Sequence, residues 1–266
     1  VNNEFTNGGY AIYLSPSSSL DEIYGLGISN NTFTDNYTSI SLSKINNLNI
    51  IDNQIEHAYK AVEIENLEGE IIISRNLLSN IKQYGMLLSY LDAGFNIGEI
   101  SNNIIWITGE NYSGSAYNAE SKGLSFYSCD NIELCYNSVL LTGTSTYYET
   151  CSFYAENGEN SNIKNNAFIN LGGGMVVNTG NLDDMTCDYN NFFGTGLKFA
   201  RVLNDYYYGL EDFGEATSSN QNSISIHPFY DSEQNQLTAS AWIDNSGTPV
   251  GSVTSDFAGN SRDTSH

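Results

Sequence analysis

The side chains best suited to chemistry in this chain are hydroxyls, carboxylates and aromatic rings that recur on one kind of short segment. They are Tyr13, Glu63, Glu65, Tyr127 and Tyr154, interleaved with Ser41, Ser43, Ser89, Ser125, Ser152 and Asn178. Tyr112, Tyr117 and Tyr147, with Tyr148, stand in Gly-, Ser- and Thr-rich stretches that interrupt the same pattern. Aromatic faces stack on the apolar faces of pyranose rings, while hydroxyls and carboxylates exchange hydrogen bonds with sugar hydroxyls. The combination suits an extended polysaccharide or a cell-surface glycan. An ordinary solvated sheet face would carry the same residue types, because Tyr, Ser and Thr are favoured in strands.

Catalysis asks for more. A polysaccharide lyase needs a base beside the uronate and a cation to neutralise its carboxylate. The chain has only nine Lys and Arg, and none of them forms a pair on the candidate segments. Lys60 near Glu63 and Glu65 reads as a local ion pair. A hydrolase would need clustered aspartates, but Asp183-Asp184 is the only pair of adjacent aspartates and lacks a basic partner nearby. His57, His227 and His266 are scattered. The expectation is a non-catalytic protein, with a lyase or glycosidase acting on an extended polysaccharide as the alternative.

Thirty-one Asp and Glu against nine Lys and Arg leave a net charge of −22. Such a chain repels nucleic acid and anionic membranes, and no apolar stretch reaches the ~20 residues of a membrane span. No cofactor is expected. Calcium held by paired carboxylates is the alternative, although no EF-hand-like ligand spacing is present. Cys129, Cys135, Cys151 and Cys187 fit neither a zinc pattern nor a disulfide-dense scaffold. Cys187 stands where other repeats have Ile or Leu and reads as a buried thiol. A local bridge between Cys129 and Cys135 stays open.

The elements that must position these residues are set by a repeated phrase, an asparagine followed two residues later by a large apolar residue. Its markers are Asn3, Asn31, Asn53, Asn76, Asn103, Asn137, Asn166 and Asn190. The steps between successive markers are 28, 22, 23, 27, 34, 29 and 24 residues, a period that signals a repeat architecture. Ahead of the markers stand Leu26 and Ile28, Leu48 and Ile50, Ile71 and Ile73, and Ile132 and Leu134. This period-2 alternation predicts a strand with one buried face. A second short strand begins at Phe33, Ile55, Leu78, Ile105, Val139, Phe168 and Phe192, and the tyrosine- and serine-bearing segment is a third. Three strands per repeat predict a parallel β-helix of about eight coils. Asparagine suits its corners, because stacked amides satisfy one another and the residue tolerates left-handed backbone. Extra residues at 91–97, 108–121 and 142–150, on consecutive coils, predict a wall beside coils four to six.

These phrases resemble the right-handed parallel β-helix proteins of the pectate lyase-like superfamily, over about residues 1–195. The resemblance implies an all-β, single-stranded right-handed parallel β-helix, and it spans lyases, hydrolases, adhesins and tailspikes. Residues 196–266 read as an irregular capping segment of the same domain. His227-Pro228-Phe229, Ser240-Ala241-Trp242-Ile243-Asp244-Asn245-Ser246-Gly247 and Asp256-Phe257-Ala258-Gly259-Asn260-Ser261-Arg262 look like the end of secreted bacterial proteins of the choice-of-anchor Q kind. His227 and Ala241 depart from that pattern. The resemblance implies secretion or display at the cell surface, and a tail of this type is expected to cap the open end of the solenoid. Val1 falls inside a repeat phrase with no signal peptide before it. The chain therefore reads as a monomeric domain of a longer protein, serving as a stalk or adhesin.

Overall fold

A computed structural model describes residues 2–17, 22–109, 120–143, 150–180, 182, 184–231, 236–238 and 247–262. Among them strands dominate, and Leu210–Thr217 is the one α-helix. No helix among the described residues is long and apolar enough to cross a membrane.

The chain winds as a parallel β-helix. One sheet holds eight short parallel strands, from Glu4–Thr6 through Thr32–Thr34 and Gln54–Glu56 to Asn191–Gly194, one per coil. A larger sheet bends into two faces. The long strands Thr38–Ile51 and Lys60–Ser74 run through both faces and turn the corner at Lys44 and Asn66, each with left-handed backbone. The front face carries Tyr10–Leu14, the first parts of those two strands, and their counterparts through Met175–Thr179. The back face carries Ile23–Ser29, the second parts, and their counterparts through Met185–Asp188.

The core follows from register. Phe33, Ile55, Leu78, Ile105, Val139, Phe168 and Phe192 lie in one Cα row of the short-strand sheet, and all are fully buried. Phe168 and Phe192 stack with ring centres 5.4 Å apart. Coils ~4.8 Å apart bring such side chains into contact along the whole axis. All four cysteines are buried thiols outside any disulfide, and Cys187 follows Ile163 in one Cα row of the back face, as its position in the repeat predicts. No bridge joins Cys129 to Cys135.

The corner has a division of labour that the sequence reading merges into one residue. The residue before each marker takes the left-handed backbone: Asn2, Asn30, Asp52, Arg75, Asn102, Tyr136, Asn165 and Tyr189, with φ between 54° and 58°. The markers themselves form the ladder. Asn53 donates its N–H and Nδ2 to Asn76 Oδ1 at 3.1 and 3.0 Å, and Nδ2 also reaches the Ile28 carbonyl at 2.8 Å. The same bonds join each pair from Asn3–Asn31 to Asn166–Asn190. Buried amides satisfied in this way avoid the 1–3 kcal/mol or so that an orphaned polar group costs.

The tail does two things, of which the sequence predicts one. After Ala200–Val202 the antiparallel strand Asp205–Tyr207 ends the parallel run. The helix then lays buried Phe213 edge-on to Phe192 at 6.0 Å, closing the core. Ser223 Oγ accepts from the Asn190 N–H at 3.1 Å and takes the next rung of the ladder. Residues 247–262 instead run along the side of the coils. Thr248 exchanges hydrogen bonds with the Asn165 side chain, the Ser255 carbonyl accepts from Asn102 Nδ2, and Val250 and Val253 cover Cys135. Within this strap, Asp256 accepts from Asn260 and Gly259 supplies a positive φ of 84° for the turn. The Asp-x-x-Gly-x-x-Arg phrase thus fastens one end of a strap that spans three successive corners, with Arg262 at Asn102 and Tyr136 and Thr248 at Asn165. The 239–246 part of the tail lies outside the described residues.

Candidate functional site

The front face places its outward side chains in rows. One Cα row runs Tyr13, Ser41, Glu63, Leu87, Ser125, Tyr154 and Asn178. A second, two residues on, runs Ser43, Glu65, Ser89, Tyr127 and Glu156. Glu63 and Glu65 thus share coil three, and Tyr127 and Tyr154 sit on adjacent coils farther along. Tyr13 is 58% exposed in the first coil, five steps from Tyr154, or roughly 24 Å at the strand spacing. It does not join them. Ser152 is no part of the open face: it is buried and donates to the Val176 carbonyl at 2.8 Å. Ser125 and Asn178 are buried as well. Tyr112, Tyr117 and Tyr147 lie outside the described residues.

Tyr127 and Tyr154 belong to one polar and aromatic cluster on coils four to six. Tyr90, at a left-handed corner, packs edge-on against Tyr127 with ring centres 5.4 Å apart. Their hydrogen bond raises the Tyr90 phenol above its ordinary value. Tyr154 donates its hydroxyl to Glu156 Oε2. Burial, then that carboxylate, pushes the Tyr154 phenol well up, so it is held as a neutral donor. Lys122 stands over the Tyr154 ring, 4.3 Å from its centre, and its ammonium pairs with Glu120 at 2.6 Å. Two coils back, Lys60 pairs with Glu63 at 2.8 Å and lies 5.7 Å from the Tyr84 ring centre. The local ion pair expected for Lys60 is the one observed.

Tyr90, Lys122, Glu120 and Glu156 are absent from the residues singled out from the sequence. Counting along the repeat could have found Lys122, because Lys60, Tyr84 and Lys122 share one Cα row. The extra residues also fall differently than expected. Those at 108–121 and 142–150 precede the front-face strands Lys122–Asp130 and Cys151–Glu156, whereas 93–97 follows the Tyr90 corner at the opposite edge. The described strands therefore put the points of attachment of these segments at two edges of the face. In the turn after that corner, Phe95 and Ile97 are exposed.

Among the described residues, no group of three or more His, Cys, Asp and Glu side chains is arranged to hold a metal ion. Comparison with known proteins supports the fold. Residues 1–130 match the family model described as a right handed beta helix region, and the chain is an all-β, right-handed parallel β-helix. Searches of curated proteins and of solved structures returned no match.

Proposed function

We propose that this β-helix is an extracellular or cell-surface module that serves as a stalk or adhesin and binds a glycan, without turning it over, on the front face at coils four to six. The observation that carries the reading is the cluster of Tyr90, Tyr127 and Tyr154 with Glu156 and Lys122. It presents aromatic surface beside hydrogen-bonding groups on one sheet face. Sugar sites combine these two features. The protonation and pairing of the groups favour binding over catalysis. Lys60 and Lys122 are each engaged by a carboxylate, and a phenol pushed upward is a poor base. The net charge of −22 favours a neutral glycan over a polyuronate. Kinship with pectate lyase-like proteins, secretion and a choice-of-anchor tail belong to the same reading and rest on the phrases quoted from the sequence.

The test is a glycan array read beside reducing-end and unsaturated-uronate assays on the same preparation. Binding without turnover, weakened at least tenfold by Tyr127→Ala, is expected. Turnover that disappears in Lys60→Ala or Lys122→Ala would establish an enzyme instead, and absence of binding to any glycan would remove the reading.

A further inference from the structure

A groove lies on coils one to four, at the corner between the short-strand sheet and the front face. It is open, with a volume of about 680 Å³, and is lined by Gly8, Asp35, Tyr37, His57, Tyr59 and Lys82, along with Asn36. The volume is within the range of about 300–1,000 Å³ typical of small-molecule sites. Its frame is rigid. Asn36 accepts from the Gly8 N–H at 3.0 Å and donates to the Phe5 carbonyl at 3.1 Å, tying the first coil to the second. Asp35 and His57 occupy matching left-handed corners on successive coils, both with φ of 56°.

The groove has an aromatic wall and a polar rim. Tyr37 and Tyr59 stack with centres 4.8 Å apart and planes 13° from parallel, and Tyr37 remains 54% exposed. His57 Nδ1 stands 3.8 Å from Asp35 Oδ1, and Nε2 stands 3.9 Å from Glu56 Oε1. Both separations exceed a hydrogen bond, so neither contact uses up the hydrogen-bonding capacity of these groups. A flat ring wall beside donors and acceptors with capacity to spare is the chemistry that recognises a pyranose. The carboxylates of Asp35 and Glu56 weigh against a phosphate-bearing ligand.

We infer that this groove is a saccharide-binding site separate from the front-face cluster. One sugar ring lies against Tyr37, and its hydroxyls meet Asp35 and His57. Its residues are in phase along the repeat: Tyr37, Tyr59 and Lys82 stand equally far after Asn31, Asn53 and Asn76. The site is therefore built by successive coils and does not depend on an inserted loop. The inference does not rest on the reading of coils four to six.

The experiment titrates the whole chain with cellotetraose, maltotetraose, mannotetraose and chitotetraose, with adenosine as a planar comparison, by calorimetry and by NMR of the tyrosine rings. At least one tetrasaccharide should saturate a site. Tyr37→Ala should weaken that binding about tenfold or more, Asp35→Asn should weaken it to a lesser degree, and Tyr24→Ala, on the back face, should leave it unchanged. Tyr37 is half exposed, so its replacement should leave the melting temperature near that of the parent and the comparison interpretable. The inference is overturned if no tetrasaccharide binds, if adenosine alone binds, or if Tyr127→Ala abolishes binding while Tyr37→Ala does not.

Discussion

Arg262 lays its guanidinium 3.7 Å from the centre of the Tyr136 ring and donates from Nη2 to the Asn102 side chain, 160 residues earlier in the chain. The contact fastens the strap over the corner of coil six, where Tyr136 already holds a left-handed backbone. Val250 and Val253 lie on Cys135 beside it, and the thiol is fully buried.

Arg262→Ala should therefore loosen the strap before it unfolds the coils. A stacked guanidinium and one charge-assisted hydrogen bond are together worth about 1–3 kcal/mol. The expected result is faster labelling of Cys135 by a thiol reagent, with Cys187 as slow as in the parent. Equal labelling of both thiols would mean that the strap does not open as a unit.

Rungs of the ladder should differ in weight along the axis. Asn103 Oδ1 accepts from the Asn76 N–H and Nδ2, and its own Nδ2 reaches Asn137 and the Ile73 carbonyl, all out of water. Asn103→Ala orphans several of these groups and should cost about 3 kcal/mol. Asn3→Ala, at an exposed rung, should cost under about 1 kcal/mol. Thermal melts of the two variants check the contrast.

Gly123 is the second residue of a front-face strand, where two coils approach closely. A methyl group there would meet Val139 Cγ1 and the Ser152 carbonyl oxygen, the latter at 2.6 Å, whereas one on Gly27 would meet nothing within 4 Å. Gly123→Ala should lower stability by about 2 kcal/mol or more, and Gly27→Ala by less than about 0.5 kcal/mol. The first should also disturb Tyr127 on the same strand, read as weaker glycan binding.

Stability should fall on the alkaline side. Burial pushes the Cys129 and Cys187 thiols up to about 12, while in the unfolded chain they ionise near about 8.5. Between those values the folded state holds more protons than the unfolded one. Its stability then declines with rising pH by about 1.4 kcal/mol per unit for each thiol. Unfolding free energies between pH 9 and 11 should show this slope, and Cys187→Ala should make it shallower. An unchanged slope in that variant would refute the assignment.

The repeat was legible because its strongest signals are local. The ladder asparagines and the apolar residues that follow them needed only spacing to be placed on a corner and in the core. The left-handed position before each marker gave no such signal, since Asn, Asp, Arg and Tyr all occupy it and the backbone is held by neighbouring coils. The strap leaves no signal in the sequence because Thr248–Asn165 and Arg262–Asn102 are single contacts across long separations, without periodicity. Alternation alone puts Tyr127 and Tyr154 on the front face. It gives no sign of Glu120, Glu156 and Tyr90, whose contacts with Lys122, Tyr154 and Tyr127 depend on how neighbouring coils register. Tyr37 and Tyr59 stand in plain phase with the markers, but on coils of ordinary length, where no insertion draws attention to them.

The rungs have a consequence for how such a molecule can change. Asn31 and Asn53 are 22 residues apart and Asn103 and Asn137 are 34 apart, yet their amides meet at 3.1 and 2.9 Å. Circumference is thus decoupled from contour length: a coil can lengthen by half without its neighbours registering the difference. Segments 110–119 and 144–149 should accept foreign sequences of other lengths, leaving the frame as an interchangeable mount for whatever they display.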